Sequence, residues 1–203
     1  AARVAADPYA LPATDDGLPG AGPIRRYDWF QKLWRARRAA FAAARDRDRG
    51  AVVFFGDSIT QQWGEGLPAA FPSVKVANRG ISGDTTRGAL LRLDEDVLAL
   101  KPAAVVLLIG TNDLEEGARP EIAVGNLKLI LAALKRHDPR MPVVLCLVFP
   151  SSEMMKRPAE QIKAVNALYP AGGDQPAPAA GPRLYHDAED ARFQDLKARL
   201  ESG

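Results

Sequence analysis

Four continuous apolar runs divide the chain: AVVFF from Ala51, VKVAN near Val74, AAVVLLIG from Ala103 and PVVLCLVFP from Pro142. A strand that is apolar at every position, rather than at alternate ones, is covered on both faces, and such strands belong to parallel sheets. Three segments with helical spacing lie among or after them: TRGALLRLDEDVLAL (86–100), PEIAVGNLKLILAALKRH (120–137) and RPAEQIKAVNALY (157–169). Pro120 and Pro158 fall near helix starts, where a missing N–H costs nothing. Ahead of the first run, Trp29, Phe30, Leu33, Trp34 and Phe41 recur at helical spacing, so 27–47 is expected to be a helix with one packed face. This β-α alternation predicts an open α/β sheet with helices on both sides, a three-layer α/β/α sandwich.

At 203 residues the chain fits one domain, long enough to bury roughly two-thirds of its unfolded surface. Residues 1–26, rich in Pro, Gly and Asp, read as an extended arm, and 27–203 as the single domain. The stretch PAGGDQPAPAAGP (170–182) reads as a loop, RLYHD (183–187) as a last short strand, and the remainder as a charged, helix-like tail. A net charge of +2 is too mild to imply nucleic acid. The basic stretch RRYDWFQKLWRARR (25–38) is read as a solvated helix face. No segment approaches the ~18 apolar residues of a membrane span. The chain begins at Ala1 rather than Met, which fits a removed signal peptide and an artificially chosen start equally; the expected location is periplasmic or secreted, and cytoplasmic otherwise. Cys146, the single cysteine, reads as a buried structural thiol.

In open α/β sheets, sites form at the carboxyl ends of the strands. Three strand exits are built alike from Gly and small polar residues: GDSIT (56–60), NRGISGDTT (78–86) and GTND (110–113). Each alone could be a helix cap and a turn. Together, at one end of one sheet, they read as a site.

GDSIT, NRGISGDTT and GTND resemble the first three sequence blocks of the SGNH, or GDSL, hydrolases, in the branch similar to the platelet-activating-factor acetylhydrolase catalytic subunits. The resemblance runs continuously over 51–169. It implies a flavodoxin-like central parallel sheet, Ser58 as nucleophile, and an oxyanion hole made by the backbone N–H groups of Ser58 and Gly83 with the side-chain amide of Asn112. Those residue types suit the role. Glycine lets the backbone approach the tetrahedral oxygen closely, and an uncharged amide donates without attracting anions indiscriminately. Asp57, Asp84 and Asp113 are expected to order turns rather than react.

A serine hydroxyl needs a base. The resemblance implies a histidine three residues after an aspartate near the C-terminus, and that block is absent here. Asp195 in FQDLKARL could align with the family aspartate, but Ala198 then stands where the histidine would be. Of the two histidines, His137 reads as a surface residue at a helix end, and His186 lies in RLYHDAED. The first expectation is a shortened or altered C-terminal segment. The others are a shifted base at His186 and a non-catalytic descendant.

The expected function is a serine esterase acting on small acyl esters through an acyl-enzyme at Ser58. No cofactor is expected, the partner is a small-molecule ester, and a homo-oligomer is one possible state. The alternatives are a pseudoenzyme holding an acylated carbohydrate and a flavodoxin-type nucleotide binder. The second is weakened by the lack of a G-x-G-x-x-G or P-loop motif.

Overall fold

A computed structural model describes residues 7–168. The RLYHD strand, the charged tail, His186 and Asp195 lie outside the described residues. Strands β1 (Val52–Gly56), β2 (Val76–Gly80), β3 (Ala104–Leu108) and β4 (Val143–Leu145) form one sheet in the order β2-β1-β3-β4. Every pairing is parallel, with Phe55 opposite both Arg79 and Leu107, and Leu107 opposite Leu145. The first strand is central, so its carboxyl end is flanked by the exits of β2 and β3. The fold is the expected α/β class with a parallel central sheet.

Helices α1 (Asp28–Ala43), α2 (Ser58–Gln62), α3 (Gly66–Ala70), α4 (Thr86–Asp96), α5 (Thr111–Glu115), α6 (Pro120–His137) and α7 (Ala159–Leu168) surround the sheet. The main core lies between Val53, Phe55, Val105 and Leu107 of the sheet and Leu93, Leu127, Ile130 and Val165 of α4, α6 and α7. A second cluster, Phe30, Trp34, Phe41 and Ile81, seats α1 beside α4. On the opposite sheet face Phe54 meets Phe71, just after α3, at 5.3 Å between ring centres.

Several boundaries differ from the sequence reading, each for a local reason. Helix α1 ends at Ala43 because the chain then turns Asp48 inward, where its carboxylate meets Arg79 at 2.9 Å. Strand β2 starts at Val76 because Val74 still donates to Phe71 in a turn. Strand β4 stops at Leu145. Beyond it, Val148 exchanges both backbone hydrogen bonds with the Asn166 side chain of α7, at 2.8 and 2.9 Å, and leaves the ladder. Helix α4 gives way at Val97 to one 3-10 turn, closed by Lys101 in the left-handed region at φ 49°. Helices α2, α3 and α5 have five residues each, too few to show a period in the sequence.

The basic stretch 25–38 is not a solvated face throughout. Arg25 and Arg38 are each only 6% exposed. Arg38 pairs with Glu95 at 2.5 Å and Asp96 at 3.3 Å, so these cations are paid for by acids from elsewhere in the chain. The segment before α1 packs on its own chain. Ala21 exchanges two hydrogen bonds with the Asn126 amide, at 2.9 and 2.8 Å. Arg87 donates to the carbonyl oxygens of Pro19 and Gly22.

Candidate active site

The exit of β1 is fixed by sterics. A Cβ on Gly56 would lie 2.1 Å from the Leu108 carbonyl oxygen and 2.5 Å from Thr60 Oγ1, so only glycine lets the strand end pass its neighbour and turn. Asp57 then caps α2, its Oδ1 accepting from the Ile59 N–H at 3.0 Å. This is the turn-ordering role expected of Asp57. Ser58 follows as the first residue of α2, partly exposed, and its N–H has no intrahelical partner.

The exit of β2 runs through Gly83 at φ 86°, a left-handed backbone that side chains resist. A Cβ there would also meet Trp29 Cη2 at 2.7 Å and Arg25 Nη1 at 3.0 Å. Among the described residues the Gly83 N–H makes no hydrogen bond. The exit of β3 places Asn112 in the first turn of α5, 1% exposed. Its Nδ2 donates to the Asp84 carbonyl oxygen at 2.8 Å and makes a long contact of 3.5 Å with Asp57 Oδ2. Asn112 therefore spans the residue before Ser58 and the residue after Gly83. These contacts bring the three described site residues, from three separate strand exits, into one neighbourhood.

A buried polar scaffold holds that neighbourhood. Arg92 of α4 is fully buried and donates to Asp84 Oδ2, Arg79 O and Gly56 O at 2.8, 2.9 and 3.0 Å. Asp113 accepts from the Thr86 N–H at 2.9 Å and the Thr86 hydroxyl at 2.5 Å, tying α5 to α4. Burial pushes the Asp57 and Asp84 carboxyls up to about 6 and Asp113 up to about 7, against the hydrogen bonds and arginines that favour their ionised forms.

Two further arginines border the site, and no local sequence pattern marks either as part of it. Arg157, just before α7, donates from Nη2 to Asn112 Oδ1 at 3.1 Å and forms an ion pair with Glu115. Arg25 pairs with Glu115 at 3.1 Å and Glu116 at 2.6 Å. Beside Gly83 opens a cleft of about 350 Å³, lined by Arg25, Tyr27, Trp29, Glu115, Glu116 and Met155 among others. Tyr27 and Trp29 are about half exposed and stack within 11° of parallel.

The described histidine, His137, is not part of this neighbourhood. His137 ends α6 and is exposed; since α6 leads into β4 of a parallel sheet, it sits at the strand-entry edge, opposite Ser58. Cys146 is partly buried, and burial raises its thiol to about 11, which removes the thiolate a nucleophile needs. Among the described residues no group of His, Cys, Asp or Glu could hold a metal ion. None of the described helices is long and apolar enough to cross a membrane.

Comparison with known proteins points the same way. Residues 54–195 match the GDSL-like Lipase/Acylhydrolase family. The chain is 29% identical over 165 residues to platelet-activating factor acetylhydrolase IB subunit alpha2 of Homo sapiens, covering 80% of this chain and 67% of that one. It is 37% identical over 86 residues to an acetylxylan esterase of Geobacillus stearothermophilus, covering 31% of this chain and 39% of that protein. A GDSL-like lipase structure from Bacteroides thetaiotaomicron superposes with a TM-score of 0.56 at 33% identity, covering 67% of this chain and 71% of the other. The chain belongs to the GDSL-like lipase/acylhydrolase family and is a carboxylic ester hydrolase of the SGNH type.

Proposed function

We propose that the protein cleaves small acyl esters, of the acetyl type, through an acyl-enzyme at Ser58. The carrying observation is the reach of Asn112, whose amide nitrogen touches both Asp57 and Asp84, the chain neighbours of Ser58 and Gly83. Ser58 Oγ attacks the ester carbonyl carbon while its proton passes to a base. The carbonyl oxygen, now negative, is stabilised by the N–H groups of Ser58 and Gly83 and by Asn112 Nδ2. Collapse expels the alcohol, which takes the proton, and a water then repeats the sequence to free the acid and Ser58.

An acetyl-type acyl group is supported by the names of the two relatives, an acetylhydrolase and an acetylxylan esterase. The cleft beside Gly83 suits the alcohol portion, because its floor is polar and its rim aromatic. His137 lies at the far edge of the sheet, so within the given residues His186 is the histidine proposed as base, with Asp187 beside it in sequence. The test is hydrolysis of p-nitrophenyl acetate by the full chain. Ser58→Ala should abolish turnover with the fold retained; undiminished turnover overturns the proposal.

A further inference from the structure

An amide side chain has two ends, and only one serves an oxyanion. If Asn112 presented Oδ1 toward Gly83, it would repel the charge it is meant to stabilise. The flip is fixed from both ends. A guanidinium carries donors only, so the Asn112 atom that meets Arg157 Nη2 at 3.1 Å must be the oxygen. The Asp84 carbonyl oxygen accepts only, so the atom it meets at 2.8 Å, directly after Gly83, must be the nitrogen. At 1% exposure Asn112 has little contact with bulk water that could favour the opposite flip.

Arg157 is itself held by the helix that carries Asn112. Glu115 lies three residues further along α5, on the same helix face, and forms an ion pair with Arg157. The same carboxylate holds Arg25 at 3.1 Å, whose Nη1 lies 3.0 Å from where a Gly83 Cβ would be. One glutamate thus steadies two cations, one bound to the Asn112 amide oxygen and one beside Gly83.

We infer that Arg157 is a positioning residue of the ester-hydrolysis site: it fixes the Asn112 amide with its N–H toward the oxyanion and adds positive charge behind it. This rests on the mechanism proposed above for Ser58 and Asn112. Because the interaction matters most once the oxyanion forms, loss of Arg157 lowers kcat and leaves KM nearly alone.

The test is a double-mutant cycle on the full chain with p-nitrophenyl acetate, using Arg157→Gln, Asn112→Ala and the double variant. Arg157→Gln should lower kcat about 10- to 100-fold, the range expected when a reacting group is misplaced, with KM changed less than about 3-fold. In the Asn112→Ala background the same change should cost less than about 2-fold, because the amide it orients is gone. Arg157→Lys, which keeps a donor-only cation but not the fork, should recover part of the loss. A merely structural role predicts equal losses in both backgrounds. Equal losses, or wild-type kcat in Arg157→Gln, overturn the inference and leave the mechanism standing. Wild-type activity in Asn112→Ala overturns both. If Arg157→Gln does not fold, by circular dichroism, the cycle run with Arg157→Lys decides by the same criterion of non-additivity.

Discussion

Arg92 Nη2 donates to the carbonyl oxygen of Gly56 across 3.0 Å, so a side chain of α4 grips the last residue of β1, two positions before Ser58. The same guanidinium holds Asp84 at 2.8 Å and lies over the Phe55 ring at 4.5 Å. One buried cation thereby joins the exits of two strands that carry the site.

Arg92→Ala should therefore be among the most destabilising single changes. It strands the buried Asp84 carboxylate and two carbonyl oxygens, a loss of about 3–5 kcal/mol for a broken buried pair. Urea unfolding followed by circular dichroism measures it; a loss below about 1 kcal/mol would contradict the role given to Arg92.

Gly83→Ala tests the second exit. The φ of 86° costs a side chain roughly 1–2 kcal/mol, and the new methyl group would sit 2.7 Å from Trp29 Cη2. Expected are a loss of at least that stability and a fall in kcat as the Gly83 N–H is displaced. Unchanged kcat in a folded variant would remove Gly83 from the oxyanion hole.

The strand exits were legible because their chemistry is local. Gly56, Gly83 and the apolar runs before them are required by backbone geometry, which sequence records directly. The class of fold followed from β1, β3 and the even spacing of helices such as α6, whose bounds, Pro120–His137, are those read from the sequence. Arg157 was invisible because its partner Asn112 lies 45 positions away, and no local pattern encodes such a pairing. Arg25 and Arg38 misled for the same reason: a basic run looks solvated until the acids that bury it arrive from Glu115, Glu116 and Asp96. The shortness of β4 depended on Asn166 capturing Val148, another long-range bond.

The buried aspartates set a pH dependence. Burial lifts Asp57 and Asp84 to about 6 and Asp113 to about 7, above the ordinary 3.8. Between about pH 4 and 7 the folded protein holds protons that the unfolded chain has released, so stability falls as pH rises through that window and levels off above it. Asp113→Asn removes one titrating group, so the drop in unfolding free energy from pH 5 to pH 8 should be smaller than in the wild type. An undiminished drop would mean that Asp113 is ionised throughout.

His186→Ala addresses the base. Loss of general-base assistance should reduce kcat/KM by about 10²–10⁴. His137→Ala, at the opposite edge, should leave it unchanged. The reverse result would place the base elsewhere.

The central claim is that Ser58 is the nucleophile, and trapping tests it most directly. The full chain is treated with a p-nitrophenyl alkylphosphonate, a tetrahedral analogue that phosphonylates an activated serine, and then examined by intact-mass and peptide mass spectrometry. The account predicts one adduct per chain, on the peptide containing Ser58, with p-nitrophenyl acetate hydrolysis lost in step and no adduct on Ser58→Ala. An adduct on another residue, or full labelling of Ser58→Ala, would contradict it.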